Sequence, residues 1–174
     1  MAKFETVAAQ TTMTDSMRHG VKSTFIRNIA LLGIFHQTVR DIFQKGRTLM
    51  QYIILIGDET LTLDSVKSII HCDSVNSYDV TEINNRYCVN FGSDHIFYDY
   101  EGSSTEDYEE NDLKRIPFTK PNFIVMVYTS KERMKKVIQQ ENFLQDIYID
   151  NDLGLIVPLE EFIKYGMPLD GESN

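Results

Sequence analysis

The chain has 174 residues, 42% hydrophobic and 25% charged, a composition that suits one globular domain and excludes a disordered or collagen-like chain. No run of about 18 apolar residues occurs, so no membrane-spanning helix is predicted. The formal charge of −9 is unevenly placed: residues 1–50 hold seven basic and three acidic residues, a net +4, while residues 51–174 hold ten basic and 23 acidic, a net −13.

That asymmetry bears on partners rather than on fold. The acidic part repels nucleic acid and anionic membrane and attracts a basic protein surface. Cys72 and Cys88 make no disulfide framework, and no Cys/His set has zinc spacing. The apolar run Ile29 to Phe35 is short and lacks a small-residue cleavage site, so no secretory signal is expected. The expectation is a cytoplasmic protein with reduced thiols, no metal and no cofactor.

Residues 1–23 read as a polar leader. Phe25, Ile26, Ile29 and Leu32, then Ile34, Val39, Ile42 and Phe43, recur at helical spacing and predict one or two helices over 24–45, ended near Gly46. Texture and charge change at Met50. The expected division is a basic helical extension over 1–49, partly disordered, and an acidic domain over 50–174, with Met50 an alternative functional start.

Tyr52 to Ile56 is a β-branched run closed by Gly57-Asp58, a strand buried on both faces. Leu63, Val66, Ile69 and Ile70 fit a short helix. Tyr78 to Glu82, Tyr87 to Phe91 and Ile96 to Tyr100 alternate around turn signals at Asn84-Asn85 and Gly92-Ser93-Asp94, which predicts antiparallel strands. Residues 101–115 hold six acids in their first twelve positions and read as a solvated loop. Phe123 to Tyr128 is the strongest strand. Ser130 is placed to cap a helix over about 131–142. Two short strands follow, around Ile147-Ile149 and Leu155-Val157, joined by a turn at Asn151-Asp152. Pro158 opens a last helix that Gly166 ends. The fold class is therefore α+β: a mainly antiparallel sheet with helices on one face, preceded by a helical N-terminal arm.

Gly33 to Ile42 resembles the turn and recognition helix of helix-turn-helix DNA binders: Gly in the turn, an apolar residue after it, then Thr-Val and an apolar residue three further on. Asn28 and Ile29 depart from that pattern. The resemblance implies that Gln37, Thr38 and Arg40 face base edges or phosphates, with nucleic acid as partner. An amphipathic helix pair packing on the acidic domain or on a partner explains the same text.

Three readings of function stay open. The first is a small non-catalytic binding protein, an inhibitor or immunity-type factor that occludes a basic partner. Its anchors are Tyr98, Tyr100 and Tyr108, with carboxylates from Glu106, Asp107, Glu109, Glu110 and Asp112. The second is a DNA-binding regulator built on residues 24–47. The third is an enzyme using Cys72 beside His71, or His95 with Asp99 and Glu101, which alternation places on one strand face. Asp150-Asn151-Asp152 with Gly154 has the glycine at the wrong position for a calcium loop and reads as a hairpin turn.

Overall fold

The computed structural model describes residues 51–169, and the expectations for the helix pair at 24–45 and the helix-turn-helix resemblance lie outside them. Seven strands form one wholly antiparallel sheet: β1 (Gln51–Gly57), β2 (Asn76–Asp79), β3 (Arg86–Asn90), β4 (His95–Gly102), β5 (Asn122–Tyr128), β6 (Tyr148–Asp150) and β7 (Ile156–Pro158). Their order across the sheet is β2-β3-β4-β5-β1-β6-β7. The four helices among the described residues are short: α1 (Leu63–Lys67), α2 (Glu110–Leu113), α3 (Lys131–Ile138) and α4 (Leu159–Lys164). The α+β class read from the sequence is found, but the helices are not confined to one face: α1, α3 and α4 pack on one side of the sheet, and α2, through Leu113, on the other.

The apolar runs lie at the centre. β1 is flanked by β5 and β6, in register Ile54↔Val125 and Ile54↔Asp150, and its residues 53–56 are all buried. Such strands need apolar residues on both faces, which Tyr-Ile-Ile-Leu-Ile supplies. On the first face, Ile53, Leu55, Val89, Ile96, Tyr98, Ile124, Met126 and Tyr128 pack against Val66 of α1, Met134, Val137 and Ile138 of α3, and Leu159 and Phe162 of α4.

Local chemistry starts these helices where expected. Thr62 and Ser65 form a reciprocal capping box at α1, and the Ser130 hydroxyl accepts from Arg133 N at 3.2 Å to cap α3. α3 stops at Ile138, a turn short of the 131–142 pattern. The side chains of Gln140 and Asn142 instead donate to Ile70 O, and Phe143 enters the core from the loop. Pro158 ends β7 and sits at the N-cap of α4 rather than in its first turn.

The second face differs most from the sequence expectation. It carries Ile54, Ile56, Phe123, Val125, Val127 and Ile156, and the acidic stretch after β4 folds over them with Tyr108, Leu113, Ile116 and Phe118. A bulge launches that stretch: pairing with β5 shifts between Tyr100 and Gly102, where Gly102 takes a left-handed φ of 70°. Residues 101–115 are thus a packed connection with a helical turn, not a loop standing in solvent. Leu113 and Ile116, spaced three apart among charges, were the signal for it.

One buried polar pair ties the first face together. His71 Nε2 lies 3.0 Å from the Tyr98 hydroxyl, and both residues are buried. Burial holds the imidazole below its ordinary pKa, partly offset by a hydrogen bond to the backbone of Ile69. The unfolded chain therefore takes up a proton near pH 6.5 that the folded chain refuses until lower pH. The stability contributed by neutral His71 is complete above that value and is lost as pH falls through it. Denaturation between pH 7.5 and 5 is expected to show this slope in the wild type and lose it in His71→Gln.

Candidate functional site

A cleft on the second face brings ionisable and aromatic groups together. It is lined by Tyr52 and Ile54 of β1, Phe123 of β5, Asp150 and Asp152 at the end of β6, and Ser104, Asp107 and Tyr108 of the acidic connection. Its enclosed part has a volume of about 20 Å³, room for a single water, and it opens to solvent at its mouth.

Each wall is set by the backbone below it. Alternation along β1 sends Tyr52 and Ile54 to the second face, and the Ile54↔Asp150 register brings Asp150 beside them. The turn after β6 is built from its own side chains. Asp150 Oδ1 accepts from Asp152 N at 2.7 Å, and Asn151 Oδ1 accepts from Leu153 N at 3.0 Å and Leu155 N at 3.1 Å. Asp152 sits at a left-handed φ of 59°, which aspartate tolerates. The hairpin-turn reading of Asp150-Asn151-Asp152 is what the backbone shows. Tyr108 stacks on Phe123 with ring centres 5.0 Å apart, which fixes the acidic connection on the sheet.

The Tyr52 hydroxyl donates to Asp152 Oδ2. Burial first, then Asp152, pushes the Tyr52 phenol well above its usual range. Tyr108 is pushed up further, by burial and then by the charge and hydrogen bond of Asp150. Both tyrosines therefore stay neutral donors and the aspartates the acceptors. The cleft thus combines the aromatic walls of Tyr52, Tyr108 and Phe123 with the carboxylates of Asp107, Asp150 and Asp152. A wider hollow of about 190 Å³ lies near Asp58, Thr60, Ser65 and Asp146, but the Asp58 carboxylate is already taken by the Thr60 amide and hydroxyl.

The tyrosines named from sequence do not form one patch. Tyr98 is 0% exposed and has no surface to offer a partner, and Tyr100 packs half-buried beside it on the first face. Tyr108 lies on the opposite face. The sheet separates them because 98 and 100 share a parity and the connection crosses to the other side. Among the carboxylates, Asp107 lines the cleft, and Glu106 and Glu109 are exposed. Glu110 pairs with Lys114 at 2.8 Å, and Asp112 lies 3.8 Å from Arg115, so part of the charge is met locally. In the sequence Tyr52 reads only as a strand residue and Asp150 and Asp152 only as a turn; strand register is what brings them to Asp107.

The groups named for catalysis are dispersed. His71 is turned into the core against Tyr98, whereas Cys72 is exposed. Asp99 does share a face with His95, but Arg86 Nε and Nη2 grip its two carboxylate oxygens. No group of three or more His, Cys, Asp or Glu among the described residues is placed to hold a metal, and no described helix is long and apolar enough to cross a membrane. Gln37, Thr38 and Arg40 lie outside the described residues.

Compared with known proteins, the chain matches no family model, no curated protein and no solved structure.

Proposed function

We propose that the chain is a small non-catalytic binding protein whose acidic second face receives a basic partner protein, in the manner of an inhibitor or immunity factor. The supporting observation is that the acidic connection is held on the sheet by Tyr108 on Phe123, which sets Asp107 beside Asp150 and Asp152 at one aromatic-walled cleft. Carboxylates held at fixed positions steer a basic surface toward them and define where it docks. A lysine or arginine head group meets the aspartates at the cleft mouth, with the faces of Tyr52 and Tyr108 beside it. Glu106 and Glu109 extend the acidic rim, and the bound protein occludes whatever basic surface it covers.

The test is calorimetric titration of the full chain with an octa-arginine peptide. Binding is expected to fall steeply with salt and to weaken about tenfold in Asp107→Asn/Asp152→Asn. The pair Glu160→Gln/Glu161→Gln on α4 removes the same charge elsewhere and is expected to leave binding unchanged. Equal weakening by the two pairs would mean diffuse attraction and would refute the cleft.

A further inference from the structure

The two edges of the sheet are treated differently. At β7, the alternation set by Asn151 N donating to Leu155 O, and Leu159 N to Ile147 O, turns the backbone groups of Ile156 and Pro158 outward. Both are blunted: Arg115 donates to Ile156 O at 3.2 Å and to Gly154 O at 2.8 Å, and Pro158 has no N–H to offer.

Among the described residues, β2 has no such protection. Val80 N donates to Arg86 O at 2.9 Å, so Asn76, Tyr78 and Val80 bond toward β3, and Ser77 and Asp79 turn their N–H and C=O groups outward. All four β2 residues are exposed, and the strand holds no proline or lysine; at its start Val75 N donates to Asn90 O at 2.8 Å although Asn76 is the residue paired with Asn90, so the alternation is regular only from Asn76 onward. Two exposed large apolar side chains belong to this edge: Val75 is 70% exposed and Tyr78 47%. Between Lys67 and Arg86 the chain has no lysine or arginine and three acids, Asp73, Asp79 and Glu82. Lys67 meets Asp79 at 2.6 Å and Arg133 lies 3.5 Å from Asp73, while no ion pair to Glu82 occurs among the described residues.

We infer that β2 is a docking edge that takes an extended, basic segment of a partner protein as an eighth strand. Main-chain bonds to Ser77 and Asp79 would hold the segment. Apolar residues on it would cover Val75 and Tyr78, and its cations would face the acidic border. A second copy of this chain fits less well, because it would bring its own acids against these. The inference shares with the proposed function a basic partner, but it uses the far edge of the sheet, three strands beyond β5, the nearest strand lining the cleft.

The experiment is residue-resolved amide exchange on the full chain, titrated with an alternating Lys-Val octapeptide and, separately, with its Glu-Val counterpart. The Lys-Val peptide is expected to slow exchange at Ser77 and Asp79 by about tenfold, and the Glu-Val peptide to leave it unchanged. Ser77→Pro removes one outward donor at an edge position where proline is tolerated, and is expected to abolish the protection. Tyr78→Lys leaves the backbone intact, puts a cation at the edge and is expected to weaken binding. Protection that persists in Asp107→Asn/Asp152→Asn supports the edge independently of the cleft. No slowing, equal slowing by both peptides, or slowing confined to Asp150–Asp152 would overturn the inference. So would protection that grows with protein concentration and no peptide, which would make a second copy the occupant.

Discussion

Replacing Asp99 with alanine is expected to lower the unfolding free energy by about 3–5 kcal/mol, because it takes the bidentate carboxylate from a buried guanidinium. Arg86 and Asp99 face each other across β3 and β4 at 5% and 6% exposure, joined by two parallel N–H···O bonds. The guanidinium also lies over the Phe97 ring, 5.4 Å from its centre. Without the carboxylate, that charge stays beside Phe97 in a poorly solvated place. Removing both partners together, as Arg86→Met/Asp99→Leu, is expected to recover most of the loss, since apolar groups of similar volume need no pairing there. Urea denaturation of the three proteins at neutral pH measures both effects. A double variant no more stable than Asp99→Ala would show that the pair contributes more than its mutual compensation.

Phe123→Ala is expected to cost a similar amount, about 3–5 kcal/mol, by emptying a filled site in the second core. Phe123 is 2% exposed among Ile56, Val125, Ile116 and Tyr108. The loss should not be uniform, because its ring is the platform on which Tyr108 stacks. Amide exchange across 105–113 is expected to rise well beyond the change in global stability, and octa-arginine binding to weaken with it. Phe123→Leu keeps most of the volume and loses the stacking surface. A normal exchange rate over 105–113 in that variant would mean that Leu113 and Ile116 hold the connection without Tyr108.

What could be read from the sequence followed the physics of each element. β1 and β5 announce themselves because a central strand needs apolar residues at consecutive positions, and Ile53 to Ile56 and Phe123 to Val127 have them. The caps at Thr62 and Ser130 and the turns at Asn85 and Asp152 are local chemistry, decided within four residues. The acidic connection was legible as charge but not as structure. Its few apolar residues reach a core only once β1, β5 and β6 are assembled, and nothing local reports that. The candidate site suffers from the same distance: Tyr52, Asp107 and Asp152 meet through a register that separates them by about 45–100 residues. Tyr98 misled because an aromatic in an alternating strand looks alike on either face. Parity with Ile96, not proximity to the acids, decides where it points.

The central place of β1 has a consequence for how the chain is made. Its partners β5 and β6 begin at Asn122 and Tyr148, some 65 and 91 residues after β1 ends at Gly57. At a synthesis rate of roughly 5–20 residues per second, the Ile53–Ile56 run waits about 3–13 seconds for its first neighbour. The β2–β3–β4 meander can close meanwhile from short-range contacts, since each of its strands follows the last within a few residues. Until β5 has been made, the aliphatic run of β1 lacks the strand it pairs with over its whole length. In that interval the chain is most exposed to aggregation and to capture by a chaperone.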